Sequence, residues 1–186
     1  MEIMKSFYDD ICKYRDAKNI EIEVRLGKIN HGIFDSNIGK QKFQKLLNAL
    51  HKYKEWECVK KNDDEVYYWD NGVRCIYDGE KSEYQKKNKI MKKDMVMNPL
   101  DIRMSVSQEI PIQEPNEDAK HSVHRHRTSF LRKNVRIDCT VVTGDPEDKD
   151  SEDVEQYQVE LEFLDLSNDQ LIFSALHKVK DLLACL

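Results

Sequence analysis

The chain has 186 residues, enough for one domain that buries most of its unfolded surface behind a single core. Charged residues make up 35% and hydrophobic residues 39%, the latter in short periodic runs, which excludes a disordered chain; no apolar run approaches the roughly 20 residues that span a bilayer. A net charge of -5 excludes a broadly basic, nucleic-acid-coating surface and leaves a locally basic interior as the way to hold a polyanion. The N-terminus carries acids where a signal peptide would be basic and then apolar, so a cytoplasmic, non-secreted protein is expected. Cys12, Cys58, Cys75, Cys139 and Cys185 are widely spaced, contain no C-x-x-C pair and read as reduced thiols.

In chain order, Ile3, Phe7, Ile11 and Tyr14 recur every three to four residues and predict an amphipathic helix over the first eighteen residues. Ile20 to Leu26 alternates strictly between apolar and charged residues and predicts a strand. Asp35 or Ser36 is expected to cap a second helix whose stripe is Phe43, Leu46, Leu47 and Leu50. From about Trp56 to Glu162, turn chemistry falls at Asn62-Asp63, Asp70-Asn71-Gly72, Asp78-Gly79, Asn98-Pro99, Pro115-Asn116 and Gly144-Asp145-Pro146, leaving room for seven or eight strands. The acidic stretch Asp145 to Asp153 reads as a solvated hairpin loop. Ser167, Asn168, Asp169 and Gln170 form a capping box ahead of a final stripe of Leu171, Ala175, Leu176, Val179 and Leu183.

The polar faces of the strands carry the chemistry. The first strand sets Glu21, Glu23 and Arg25 on one side; the strand near the end sets Gln158, Glu160 and Glu162; the strand before it sets Arg136, Asp138 and Thr140. Residues i and i+2 lie about 6.5–7 Å apart along a strand, so two such carboxylate pairs on neighbouring strands cluster, and a hard divalent cation is the simplest compensation. Arg74, Lys87, Arg103, Arg125 and Arg127 stand on other strand faces, with Ser105, Ser107 and Glu109 on the face of Arg103. Cations arranged around an acidic cluster suit a polyphosphate, and a barrel of about eight strands has a lumen wide enough for one small ligand. The apolar faces would then point outward to the helices. His121, His124 and His126 alternate with arginines and lack a cysteine pair, against a zinc site; Trp56, Trp69, Tyr67 and Tyr68 read as packing residues before RNA-stacking ones.

Glu-Ile-Glu-Val-Arg-Leu-Gly near the start, Arg-Thr-Ser-Phe followed by Val-Arg-Ile-Asp-Cys-Thr-Val-Val, and Val-Glu-Leu-Glu-Phe before the last helix resemble the metal-dependent RNA 5′-triphosphatases of mRNA capping. These occur in fungi, protozoa and large DNA viruses within the triphosphate tunnel metalloenzyme superfamily; size and loops look most like the triphosphatase domain of a mimivirus-type capping enzyme. The resemblance covers about residues 19 to 165. It implies an α+β fold, a closed antiparallel eight-stranded β-barrel with a charged interior and flanking helices, with residues 1–186 as a single tunnel domain, free-standing or excised. A viral member would act in a viral factory or virion. The implied activity is release of the γ-phosphate from 5′-triphosphate RNA, with NTP hydrolysis as a side activity and Mn2+ or Mg2+ as cofactor.

Carried over by position, Glu21, Glu23 and Glu162 resemble the metal ligands, and Glu109 and Glu160 the catalytic glutamates that order water and neighbouring bases. Arg25, Arg74, Lys87, Arg103, Arg125, Arg127 and Arg136 are the expected phosphate ligands, Arg127 and Arg136 also serving catalysis, with Asp138, Thr140 and Gln158 in support. Gln158 stands where relatives often have a third glutamate, and Arg125 where a lysine is common. Lys87 is preferred to Lys86 and Lys89 because Tyr84 and Ile90 are expected to face helices. The K-x-D-G nucleophile motif of guanylyltransferases is absent, only Tyr77-Asp78-Gly79 occurring, so such an enzyme is expected as a fusion or a partner. The alternatives are another tunnel enzyme, acting on thiamine triphosphate or inorganic tripolyphosphate, and a non-catalytic module that binds polyphosphate or RNA ends.

Overall fold

Strands that alternate apolar and charged residues need an apolar cover on one face and compensated charge on the other. The chain meets both needs by rolling its sheet into a barrel with the helices outside. The computed structural model describes residues 2–144 and 155–186, so the acidic stretch Asp145 to Asp153 lies outside the described residues. The elements in order are α1 (Glu2–Tyr14), β1 (Ile20–Asn30), β2 (Ile33–Asp35), α2 (Lys40–Lys52), β3 (Cys58–Tyr68), β4 (Val73–Tyr77), β5 (Ser82–Met95), β6 (Asp101–Pro111), β7 (His121–Arg132), β8 (Val135–Thr143), β9 (Gln156–Phe163) and α3 (Asp169–Ala184). The strands pair antiparallel in the order β2-β1-β6-β5-β4-β3-β7-β8-β9. A further pairing of β1 with β9, through Glu23 to Glu162, Val24 to Leu161 and Arg25 to Glu160, closes eight of them into a ring and leaves β2 as an appendage of β1.

The core lies outside this ring. Ile22 and Val24 of β1, Ile137 of β8 and Leu161 of β9 are buried in one cluster with Ile11 of α1, Leu46 of α2 and Leu176 of α3. The period of two that places these residues outward places Glu23, Arg25, Asp138 and Glu160 inward. No helix among the described residues is long and apolar enough to cross a membrane.

Several local expectations are corrected. Asn62-Asp63 makes no turn: both residues lie inside β3, which pairs with β7 over its whole length, from Cys58 opposite Leu131 to Tyr68 opposite His121. Tertiary pairing overrides the turn propensity of the two residues. Helix α2 begins at Lys40 behind Gly39, which has no side chain to cap with; Asp35 belongs to β2, and its Oδ1 accepts from Asn37 N at 2.8 Å. The cap of α3 is Asn168, one residue beyond Ser167, accepting from Leu171 N at 3.0 Å. In β5 the register shifts between Lys89 and Met91, so the faces exchange there. Lys87 points inward opposite Glu109, while Lys93 points outward and donates to Asp10 of α1 at 2.7 Å. Tyr84 and Ile90 face no helix: Tyr84 donates to Glu114 at 2.8 Å and Ile90 is 43% exposed.

Gly27 fixes how β2 folds back. A Cβ there would lie 2.2 Å from the carbonyl oxygen of Asp35 and 2.5 Å from the ring of Phe34, so only glycine lets β2 lie against β1. The obstacle is backbone, which cannot rotate away. Gly27→Ala is therefore expected to cost about 2 kcal/mol and to lower Tm by about 4–8 °C; calorimetry that finds Tm unchanged would refute the close approach.

Candidate active site

The barrel encloses a cavity of about 690 Å3. Glu21, Glu23 and Arg25 reach it from β1, Arg74 from β4, Lys87 from β5 and Glu109 from β6. Arg125 and Arg127 enter from β7, Arg136 and Thr140 from β8, Gln158 and Glu160 from β9. Glu162 stands at the seam, opposite Glu23 on β1 and Arg136 on β8. Asp138 is buried behind the cations, accepting from Arg136 Nε at 3.0 Å and lying 3.3 Å from Arg127 Nη1. Arg103 alone among the expected phosphate ligands is drawn away from the cavity. Its guanidinium grips Asp94 with two bonds of 2.6 and 2.7 Å and lies 4.6 Å over the Phe34 ring, at the end of the barrel where β1 finishes.

Inside, cations and carboxylates form continuous chains. Arg74 donates to Glu109 at 2.7 Å; Lys87 sits 3.1 Å from Glu109 and also bonds Glu21. Arg25 spans Glu23 at 3.0 Å and Glu160 at 3.1 Å, and Arg136 bonds Glu162. Burial dominates two of these carboxyls, pushing Glu23 and Glu162 each up to about 7. Burial also acts on Glu160, but Arg25 and Arg127 outweigh it and hold that carboxyl at about 2. Burial lowers Arg125, as does the neighbouring charge of Arg127. Three polar atoms of the site are buried without a hydrogen-bond partner: Arg125 Nε, Arg127 Nε and Asp138 Oδ1. Each such atom costs about 1–3 kcal/mol, two of them being donors and one an acceptor.

Among the described residues no three carboxylate, imidazole or thiolate side chains converge on one point, because each glutamate is turned to a cation. The donor set nevertheless fits a hard divalent ion. Glu23 and Glu162 face each other across the β1–β9 seam with Glu21 one pleat away, all three offer oxygen, and burial of Glu23 and Glu162 outweighs the cations beside them.

Sequence reasoning missed Asp64, buried in β3 and 3.2 Å from Arg125, because the neighbouring Asn62-Asp63 reads as a turn. Its period of two with Val66 and Tyr68 was the available signal. Missed too were His121 and Tyr68 as lining residues of the cavity.

A closed antiparallel barrel with outward core and inward arginines and glutamates defines a triphosphate tunnel. The profile of the family described as mRNA capping enzyme, beta chain, an mRNA triphosphatase, matches residues 30–172. The chain belongs to that family, and is an RNA triphosphatase of mRNA capping, a hydrolase acting on 5′-triphosphate RNA. Solved structures agree in fold. The S. pombe RNA triphosphatase Pct1 in complex with the Spt5 CTD superposes with a TM-score of 0.82 at 16% identity, over 98% of this chain and 92% of that one. The mimivirus capping enzyme triphosphatase superposes with a TM-score of 0.68 at 16% identity, over 98% and 97% of the two chains. No curated protein matches the sequence.

Proposed function

We propose that the cavity takes the 5′-triphosphate of an RNA chain with its γ-phosphate between the β1–β9 carboxylates and the arginines of β7 and β8, and passes that phosphate to water. The observation that supports this most directly is the convergence of Arg25, Arg74, Lys87, Arg125, Arg127 and Arg136 on one cavity. Phosphate oxygens would accept from these cations, and charge developing on the transferred group would strengthen the contacts.

Glu21, Glu23 and Glu162 would hold Mn2+ or Mg2+, which when bound neutralises phosphate charge. Lys87 and Arg74 bind the phosphates and give up part of their present contact with Glu109, which frees that carboxylate to accept a proton from the attacking water. Glu160, held ionised by Arg25 and Arg127, keeps both guanidinium planes aimed at the lumen. Asp138 does the same for Arg127 and Arg136, and Thr140 and Gln158 add neutral donors. The same site hydrolyses NTPs as a side activity. The product, a diphosphate end, requires a nucleotidyl transfer next, so a guanylyltransferase is the fitting fusion or partner; a cytoplasmic setting, in a viral factory or virion if the source is a virus, belongs to the same proposal.

Phosphate release from triphosphate RNA, ATP, thiamine triphosphate and tripolyphosphate, each with magnesium and with manganese, tests this reading. Triphosphate RNA should have the highest kcat/KM. A preference for thiamine triphosphate or tripolyphosphate over RNA would overturn it, as would tight RNA binding without phosphate release.

A further inference from the structure

Charge on one wall of the barrel stops halfway along it. From the end where β8 begins, its inward residues run Arg136, Asp138, Thr140, Val142 and Gly144; those of its neighbour β7 run Ser129, Arg127, Arg125, Val123 and His121. On β9 the order is Glu162, Glu160, Gln158 and Gln156. All three strands pass from ionic to neutral in the same direction, so this wall of the lumen has a charged part and a neutral part, while Arg74 of β4 and Glu83 of β5 keep charge on the adjoining wall. In the neutral part Val66 of β3 stands opposite Val123, at 0% and 6% exposure, with Ile76 of β4 beside them. Neither valine belongs to the helix-backed core. Next along the same wall, Tyr68 and His121 are cross-strand partners whose rings stack at 4.9 Å and 21°, and both line the cavity.

A triphosphate alone has no use for such a wall. A nucleoside triphosphate end does: its anionic part matches the charged part of the wall and its base, a flat aromatic with little charge, matches the neutral part. From Arg127 to His121 is six residues of strand, roughly 20 Å, enough to lay both parts in line. Arg74 lies directly opposite Tyr68 on β4, beside the ring stack. We propose that the Tyr68–His121 stack is a nucleobase platform, on which the first base of the RNA continues the ring stack while Val123 and Ile76 pack beside the sugar. The platform reads no hydrogen-bonding edge, so it distinguishes a nucleoside from a bare polyphosphate without choosing among bases.

This rests on the triphosphatase reading, and the test separates the two. KM is measured for ATP and for tripolyphosphate with wild type, Tyr68→Ala, Tyr68→Phe and His121→Ala. The ratio of KM for tripolyphosphate to KM for ATP should fall about tenfold in Tyr68→Ala, within the range that losing one base–aromatic stack produces, and Tyr68→Phe should restore it. His121→Ala, which removes only the backing ring, should lower the ratio by about threefold and serves if Tyr68→Ala does not fold. An unchanged ratio in the alanine variants, or failure of phenylalanine to restore it, would overturn the platform. If wild type released no phosphate, the triphosphatase reading would fail, while dissociation constants for the two ligands from calorimetry would still give the ratio.

Discussion

Glu23→Gln is expected to lower kcat by about 10²-fold or more, the loss typical of a group that acts on charge in the transition state, while the protein folds as before. Glutamine keeps the shape of the side chain and removes its charge. Arg25 keeps Glu160 as a partner at 3.1 Å, so no cation is stranded, and the buried position no longer carries a costly ionised group. Alanine at Glu21 or at Glu162 should act in the same direction. The expected signature beyond activity is a loss of metal response: Mn2+ should raise Tm in wild type through binding to the native state and raise it much less in the variants. If all three variants keep more than a tenth of wild-type activity, or if Mn2+ still stabilises them fully, the metal assignment is wrong.

Arg127→Lys and Arg136→Lys should each lose most of kcat, on the order of 10–10²-fold, with KM less affected, whereas Lys87→Arg should stay within about threefold of wild type. Both arginines use a planar fork. Arg136 spans Asp138 and Glu162, and Arg127 spans Asp138 and Glu160, which orients each guanidinium by two carboxylates at once. A lysine ammonium can meet one of those carboxylates but cannot keep two fixed directions. Lys87 is a point charge between Glu21 and Glu109, a place a guanidinium can fill. Steady-state kinetics on the three variants decides. Fully active Arg→Lys enzymes would show that these side chains balance the interior glutamates and do nothing more.

The inside-out barrel was legible in the sequence because a period of two leaves no choice of face: once Val24 and Leu161 are outward, Glu23 and Glu162 must be inward. Closure was legible from the matched acidic strands near the two ends of the chain. What was not legible depends on events outside a strand's own pattern. Arg103 has the same parity as the lumen residues, yet Phe34, brought in by β2 over Gly27, and Asp94, put on that face by the β5 bulge, hold it elsewhere. Lys87 faces inward by pairing with Glu109, not for the reason its neighbours suggested. The neutral wall of the lumen was not legible because Val123 and Tyr68 look like core residues in one dimension and become an inner wall only when β3, β4 and β7 are assembled.

The β1–β9 seam also sets an order of assembly. Its three residue pairs join segments separated by most of the chain, a contact expected to form later than the local hairpins. Two of those pairs, Glu23 with Glu162 and Arg25 with Glu160, are themselves the acidic centre of the site. During synthesis, therefore, a chain that has not yet delivered its last strand has no half-built centre with reduced activity; it has the arginines without the glutamates that would arrive with β9. On the proposed site, catalysis would begin only when the ring shuts.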